Sequence, residues 1–367
     1  MDNIKDYTLR ELEAWMERAG EKPFRARQIF QWLHQHRARS FEEMTSISKP
    51  MRAKLAEHFH LGEFERASVQ HSADGATKYV FRLADGKEIE TVLMPGESHT
   101  TLCVSTQVGC AMGCDFCMTA RMGLLRNLSA GEIVQQVVEA ARDLPGDAFI
   151  RNIVFMGMGE PLHNYENLVR AIEILSEDFG FGFSSRRLTV STAGLVPGIR
   201  RFIRGGIRAN LAVSLNAVND ELRSRLMPVN RRWNLATLLE ACAELPKESR
   251  IRITFEYVLL EGVNDSLADA RQMVRLLHGL KCKVNLIPYN APPGLPYRRP
   301  EMERVRAFQE LLLGKGLLAT VRISRGQDIQ AACGQLIAGD RPPGGRFAHA
   351  RPAAAGGAET AASAAGA

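Results

Sequence analysis

The sequence predicts an α/β protein, a parallel sheet covered by helices and preceded by a small helical unit, and three observations predict it. From Thr101 onward strand-like runs alternate with helical ones, and six βα units in series imply a parallel sheet with helices on its faces. Just ahead, "KYVFRLADGKEIETVLMP" (78–95) holds two β-rich runs around Asp85 and Gly86, the dipeptide of a tight hairpin turn. The first 75 or so residues instead space their apolar side chains as short helices do.

Taking the elements in order, Thr8 with Glu11 forms a capping box, Leu9, Leu12 and Met16 follow at helical spacing, and Gly20 ends the segment. In "FRARQIFQWLHQHRARS" the residues Ala26, Ile29, Phe30 and Leu33 make an i, i+3, i+4, i+7 stripe. Lys22, Arg25, Arg27, Arg37 and Arg39, with His34 and His36, occupy this stretch without an acid. Interleaved with Phe24, Phe30 and Trp32 they suit a surface that tracks phosphates; a solvated helix face reads as well. After the hairpin, strands are expected at 101–107, 151–157, 187–192, 208–215, 251–260 and 283–288, with a last run at 317–324. Helices are expected from the Ser129 capping box and over roughly 164–178, 235–245, 267–280 and 301–313. Periodicity leaves open whether the sheet curls into a barrel. The tail from Arg341 is Pro, Gly and Ala with scarcely any large apolar group, a composition expected to stay disordered.

Composition narrows the function classes. With 367 residues, 45% of them hydrophobic, the chain can bury a large core without staples. No apolar run reaches the roughly 18 residues a membrane span needs, and the N-terminus lacks a signal-peptide pattern, so a cytoplasmic protein with no membrane partner is expected. A net charge of +6 suits an anionic partner, although solubility alone would account for it.

Seven cysteines at irregular spacing argue against a disulfide framework and for metal or catalytic use. Three fall in "CAMGCDFC" as Cys110, Cys114 and Cys117. Three soft thiolates in a short loop select zinc or an iron–sulfur cluster. Zinc ribbons use two C-x2-C-like pairs, and Cys103, Cys242, Cys282 and Cys333 are isolated. A four-iron cluster on three cysteines leaves one iron open to a ligand. In parallel α/β proteins chemistry sits in loops leaving the C-terminal ends of strands. The cysteine loop, "GMGEP" (157–161), "STAG" (191–194), "SLNA" (214–217), "PYNAPPG" (288–294) and "AACGQ" (331–335) all fall there.

C-x3-C-x2-C with Phe116 before the third cysteine resembles the cluster motif of radical S-adenosylmethionine enzymes. "FMGMGEPL", "TVSTAG", "LAVSLNA", "NLIPYN" and "RGQDIQAACGQL" resemble more narrowly the RlmN-type RNA adenosine C2 methyltransferases, over about residues 15–340. "EKPFRARQIFQWL" resembles that family's helical RNA-binding extension. The resemblance implies a radical-SAM partial (βα)6 barrel at 76–340 with an N-terminal β-hairpin extension, behind a helical RNA-binding domain at 1–75. It implies one [4Fe-4S] cluster on Cys110, Cys114 and Cys117, two S-adenosylmethionine molecules per turnover, and an electron donor such as flavodoxin or ferredoxin acting on a monomer. The substrate it implies is an adenosine of 23S ribosomal RNA and the adenosine next to the anticodon of transfer RNA.

The implied route stages the methyl on a cysteine, because adenine C2 is electron-poor and will not attack a methyl sulfonium. Cys333 matches that cysteine, and a radical then forms on its methyl and adds to C2. Cys103 matches the thiol that releases the protein–RNA adduct by forming a disulfide with Cys333, and Glu90 matches the base that removes the C2 proton. Gly159 and Glu160 match the segment that meets the methionyl amino group; Ser191, Ser214, Leu215, Asn216 and Asn290 match further cofactor contacts. Asn216 departs from the family's more usual His. Without the resemblance, Cys103 and Cys333 read as core packing and Glu90 as an exposed strand carboxylate. A C8-directed, resistance-conferring relative and a radical enzyme with a non-RNA substrate remain the competing readings.

Overall fold

The computed structural model describes residues 1–96, 99–146, 148–246 and 253–338, so the tail from Arg341 lies outside the described residues. The helical unit opens with β1 (Asp2–Asn3), followed by α1 (Leu9–Arg18), α2 (Phe24–His34) and α3 (Lys49–His58), and ends at β2 (Phe59–His60). Pairing of β1 with β2 in parallel brings its two ends together. The Thr8 capping box forms as expected, and α1 and α2 bury the predicted stripes. Burial also takes in His34, and Arg37 donates to the carbonyl of Ala141 in the next domain. Part of the basic stretch therefore serves internal packing.

The sheet begins at Glu65, earlier than the expected boundary near residue 76. Strands β3 (Glu65–His71), β4 (Thr77–Arg82) and β5 (Glu88–Pro95) run antiparallel. β3 was hidden because it is an edge strand whose side chains are nearly all polar or small; Arg66 anchors it to Glu139 and Asp143 at 2.9 and 2.8 Å. After β6 (Thr100–Cys103), β7 (Gln107–Gly109) and β8 (Leu124–Asn127) leave the sheet as a separate ribbon. Between them lie the cysteine loop and the single-turn α4 (Met118–Arg121).

The chain then alternates α5 (Ala130–Arg142), β9 (Ile150–Phe155), α6 (Tyr165–Ser176), β10 (Leu188–Thr192), α7 (Val196–Arg204), β11 (Asn210–Ser214), α8 (Asp220–Leu226) and α9 (Leu235–Ala243). It closes with β12 (Ile253–Leu259), α10 (Leu267–Leu276), β13 (Cys282–Pro288), α11 (Met302–Gly314) and β14 (Ala319–Val321). Strands β6, β9, β10, β11, β12, β13 and β14 are parallel neighbours in that order, and β5, β4 and β3 extend the β6 side. Helix α7 was not expected because "VPGIRRFIR" carries Pro and Gly, yet Pro197 sits in the first turn, where its missing N–H costs nothing. Each central strand splits by period two. In β12 the residues Phe255, Tyr257 and Leu259 are buried in the core, whereas Thr254, Glu256 and Val258 line cavities on the other face. Side chains from β6, β9, β10, β12 and β13 surround one cavity, so the sheet curls into a partial barrel.

Candidate active site

Two cavities meet at the mouth of the barrel. The upper one is lined by Cys110, Cys114 and Cys117 and by most of the expected cofactor positions, Gly159, Glu160, Ser191, Ser214, Asn216 and Asn290. The lower one occupies the barrel interior and is lined by Cys103 and by strand residues nearer the N-terminal ends. Met156, Glu256, Arg322 and Cys333 line both. Cys103 and Cys333, 230 positions apart in sequence, thus share one wall, and all seven cysteines are free thiols.

The cysteine loop is held from several sides. Asp115 accepts from Tyr297 at 2.5 Å and pairs with Arg121 at 3.1 Å. The Met118 N–H donates to the Gly334 carbonyl at 2.8 Å, which ties this loop to the one carrying Cys333. Burial pushes the Cys110 thiol up to about 12 and the Cys114 and Cys117 thiols upward as well; Cys117 adds to the rise at Cys110 and Cys114, and Cys333 to that at Cys117. Thiols so placed need a cationic centre to hold them as thiolates. Among the described residues no group of three or more His, Cys, Asp or Glu gathers tightly enough for a metal ion. The three thiols line one cavity beside the cofactor-facing wall, a donor set of soft sulfurs that suits an iron–sulfur cluster.

The remaining wall fits a polar ligand. Gly159 has φ +105°, and a Cβ there would lie 2.8 Å from the Gln107 nitrogen, so only glycine fits between the strand ends. The Glu160 N–H donates to Gln107 Oε1 at 2.8 Å, and its carboxylate accepts from Ala193 N at 2.7 Å and Leu162 N at 3.1 Å. Burial raises Glu160 to about 7 despite these donors. Asn290 donates to Ser324 at 2.8 Å while its Oδ1 is buried with no partner among the described residues, an acceptor suited to a donor such as a ligand amine. Asn216 takes the left-handed conformation, φ +55°, which Asn tolerates well, and its amide oxygen accepts from Val258 N at 2.8 Å. Leu215 is not among the lining residues; it is fully buried and contributes backbone, its N–H donating to the Glu256 carbonyl at 2.9 Å.

Glu90 is turned away from both cavities. Its Oε2 accepts from the Ile337 N–H at 2.9 Å, and Lys78 lies 3.4 Å from Oε1 and 3.4 Å from the Gln330 carbonyl. Burial lifts Glu90 to about 7, with Lys78 opposing. The pair therefore grips both ends of the segment bearing Cys333. Arg223, which nothing in the sequence singles out, is fully buried and donates to the carbonyls of Leu215, Ala193 and Ser214 at 3.0, 3.0 and 2.9 Å and to Asn230. It fixes the loops that end β10 and β11. Arg322 is a second such residue, donating to Met156 Sδ at 3.4 Å from between the two cavities. Tertiary packing alone brings these arginines to the site.

Comparison with known proteins agrees with this arrangement. Residues 2–61 match the family described as Ribosomal RNA large subunit methyltransferase N-terminal domain, and residues 104–277 match the Radical SAM superfamily. The Dual-specificity RNA methyltransferase RlmN of Geotalea uraniireducens is 51% identical, over 91% of this chain and 96% of its own. That of Anaeromyxobacter sp. is 52% identical, over 93% and 92% respectively. A crystal structure of a radical SAM methyltransferase from Sphaerobacter thermophilus superposes with a TM-score of 0.88 at 50% identity, covering 91% of this chain and 99% of that one. A chain with this barrel, this cysteine loop and relatives this similar along nearly its whole described length belongs to the RlmN family of radical S-adenosylmethionine RNA methyltransferases.

Proposed function

We propose that the protein methylates C2 of an adenosine in 23S ribosomal RNA and of the adenosine next to the anticodon in transfer RNA, in the cytoplasm. The observation that carries the reading is the position of Cys333, which lines the cavity of the three cluster cysteines and the one containing Cys103. When bound, one four-iron cluster on Cys110, Cys114 and Cys117 and two S-adenosylmethionine molecules per turnover supply the methyl group and the radical chemistry that no side chain possesses. Gly159, Glu160, Ser191, Ser214, Asn216 and Asn290 bind and orient the cofactor. Cys333 carries the methyl as a thioether, and that carbon, still bonded to its sulfur, forms the link to C2 of the RNA. Cys103 resolves that link by pairing with Cys333, which their common wall supports. Glu90 is the base that the resemblance offers for the C2 proton; it lines neither cavity in the resting structure, so this role requires RNA binding to free it from the Ile337 N–H and turn it toward the base. Residues 1–61, a unit with its own buried helical stripes, form the RNA-binding accessory domain, and an external protein donates electrons to a monomer.

The test is mass-spectrometric mapping of methyladenosine in RNA from a strain lacking this protein, before and after its return. Loss and recovery of the C2 isomer in both RNAs is expected. Recovery of the C8 isomer alone would overturn the assignment.

A further inference from the structure

The barrel interior is built for a polar occupant. Interiors of parallel barrels are ordinarily filled by branched apolar side chains. Here Thr101, Asn152, Thr189, Thr254, Lys283 and Asn285 line the cavity with Arg186, Arg187 and Arg325, alongside apolar residues such as Met94, Val154 and Leu336. At its neck stands Glu256, level with Ser214 on one neighbouring strand and Asn285 on the other. Its Oε1 accepts from Asn285 Nδ2 at 3.0 Å. Its Oε2 is buried and has no hydrogen-bond partner among the described residues. A buried carboxylate oxygen without a donor is costly, so its presence in a cavity marks the place of a donor brought by a ligand. Burial pushes Glu256 upward and Arg322 draws it back.

We propose that Glu256 reads the exocyclic amino group of the target adenine, which makes the barrel interior the subsite for a base flipped out of its RNA. The inference rests on the methyltransferase reading above. Cys333 and Glu256 line the same neck, so a base presenting C2 to the sulfur can lay its N1 and amino edge, rather than its N3 edge, against Glu256. A carboxylate accepts from an amino N–H, the pairing by which acidic side chains read amino groups of bases. Guanine presents a carbonyl oxygen at that position and leaves Oε2 unpaired and repelled. A site built to pair with a donor rejects an analogue lacking it far better than an apolar pocket does. The arginines around the cavity suit the phosphates flanking the flipped nucleotide.

The test uses the full chain with its cluster reconstituted and a short RNA hairpin carrying either adenosine or purine ribonucleoside, which lacks the 6-amino group, at the target position. Glu256→Ala should lower kcat/KM on the adenosine RNA about 10- to 100-fold, the cost of one hydrogen bond to a charged group, and leave the purine RNA nearly unchanged. Comparing the adenosine-to-purine ratio between variants cancels any intrinsic difference in C2 reactivity. Glu256→Gln should keep the preference, because its amide carbonyl accepts from the same N–H. Methylation of Cys333 without RNA should be unaffected in both variants. An equal loss on both RNAs, no loss on either, or loss of Cys333 methylation would overturn the proposal, the last by placing Glu256 in cofactor binding. Competition binding with the unaltered enzyme gives the same test without a variant: the adenosine RNA should bind about 10-fold more tightly, and equal binding would overturn it. Failure of the unaltered enzyme to form any C2-methylated product would instead sink the underlying methyltransferase reading.

Discussion

Lys78 lies 3.4 Å from Glu90, and Glu90 accepts the backbone N–H of Ile337 at 2.9 Å, so one buried pair on the hairpin holds the far side of the loop that carries Cys333. The pair has a pH signature. Glu90 is lifted from 4.5 to about 7, chiefly by burial. The folded state then binds this proton more tightly than the unfolded state, and between about pH 4.5 and 7 stability falls as pH rises. Urea midpoints measured across that window should show the decline for the unaltered protein and a flatter profile for Glu90→Gln. The same variant should lose about 100-fold or more in RNA methylation if the carboxylate is the base, while methylation of Cys333 continues. Full RNA turnover by Glu90→Gln would leave the residue a clamp only.

The two solitary cysteines should separate cleanly. Cys333→Ala is expected to abolish both protein methylation and methylated RNA. Cys103→Ala should form a covalent RNA–protein adduct and stall there, visible as a shifted band on a denaturing gel. Release of free methylated RNA by Cys103→Ala at the normal rate would end the resolving role. Burial raises the Cys103 thiol to about 12, with Cys333 adding to the effect and Arg322 opposing it. Exposure of a reactive thiolate at Cys103 before adduct formation is therefore not expected, and alkylation of the resting enzyme should spare it.

Arg223 satisfies three backbone carbonyls and the Asn230 side chain from a fully buried position. Arg223→Met leaves those acceptors without donors and should cost about 3 kcal/mol of stability, read from chemical denaturation. Arg223→Lys should recover only part, because a single ammonium cannot reach acceptors on both loops as a guanidinium does.

Gly159→Ala combines a left-handed backbone with an overlap against Gln107. A destabilisation of about 1–3 kcal/mol is expected, together with weaker S-adenosylmethionine binding by equilibrium dialysis, because the Gly159–Glu160 backbone would shift. An Ala variant with unchanged affinity would argue that the segment does not touch the cofactor.

The parts of this protein written in local pattern were legible in its sequence. The cysteine spacing marks the cluster loop, the capping boxes at Thr8 and Ser129 mark helix starts, and the alternation of β12 marks a strand. Cys103, Cys333 and Glu90 carry no local pattern and emerged only through resemblance to a family. Arg223, Arg322 and Glu256 emerged only in three dimensions. Each is an ordinary charged residue, Arg223 on a helix, Glu256 on a strand and Arg322 just past one, and its meaning comes from the groups that distant segments bring to it. The strand at Glu65–His71 was hidden for the opposite reason: with most side chains in solvent, an edge strand has no apolar period to display.

Each strand of the main sheet lies beside the strand that precedes it in the sheet, from β3 through to β14. A ribosome delivering this chain can thus let the sheet grow from one edge without waiting for a distant partner. The chemistry, however, arrives last. The cluster loop is synthesised more than 200 residues before Cys333, whose loop docks back on Lys78, Glu90 and Met118. A chain cut short near Gly316 would retain Cys110, Cys114 and Cys117 and most of the upper cavity's lining but lack Cys333, the residue proposed to receive the methyl. Such a fragment would keep the cysteine loop but lose the segment that ties it to the hairpin strands.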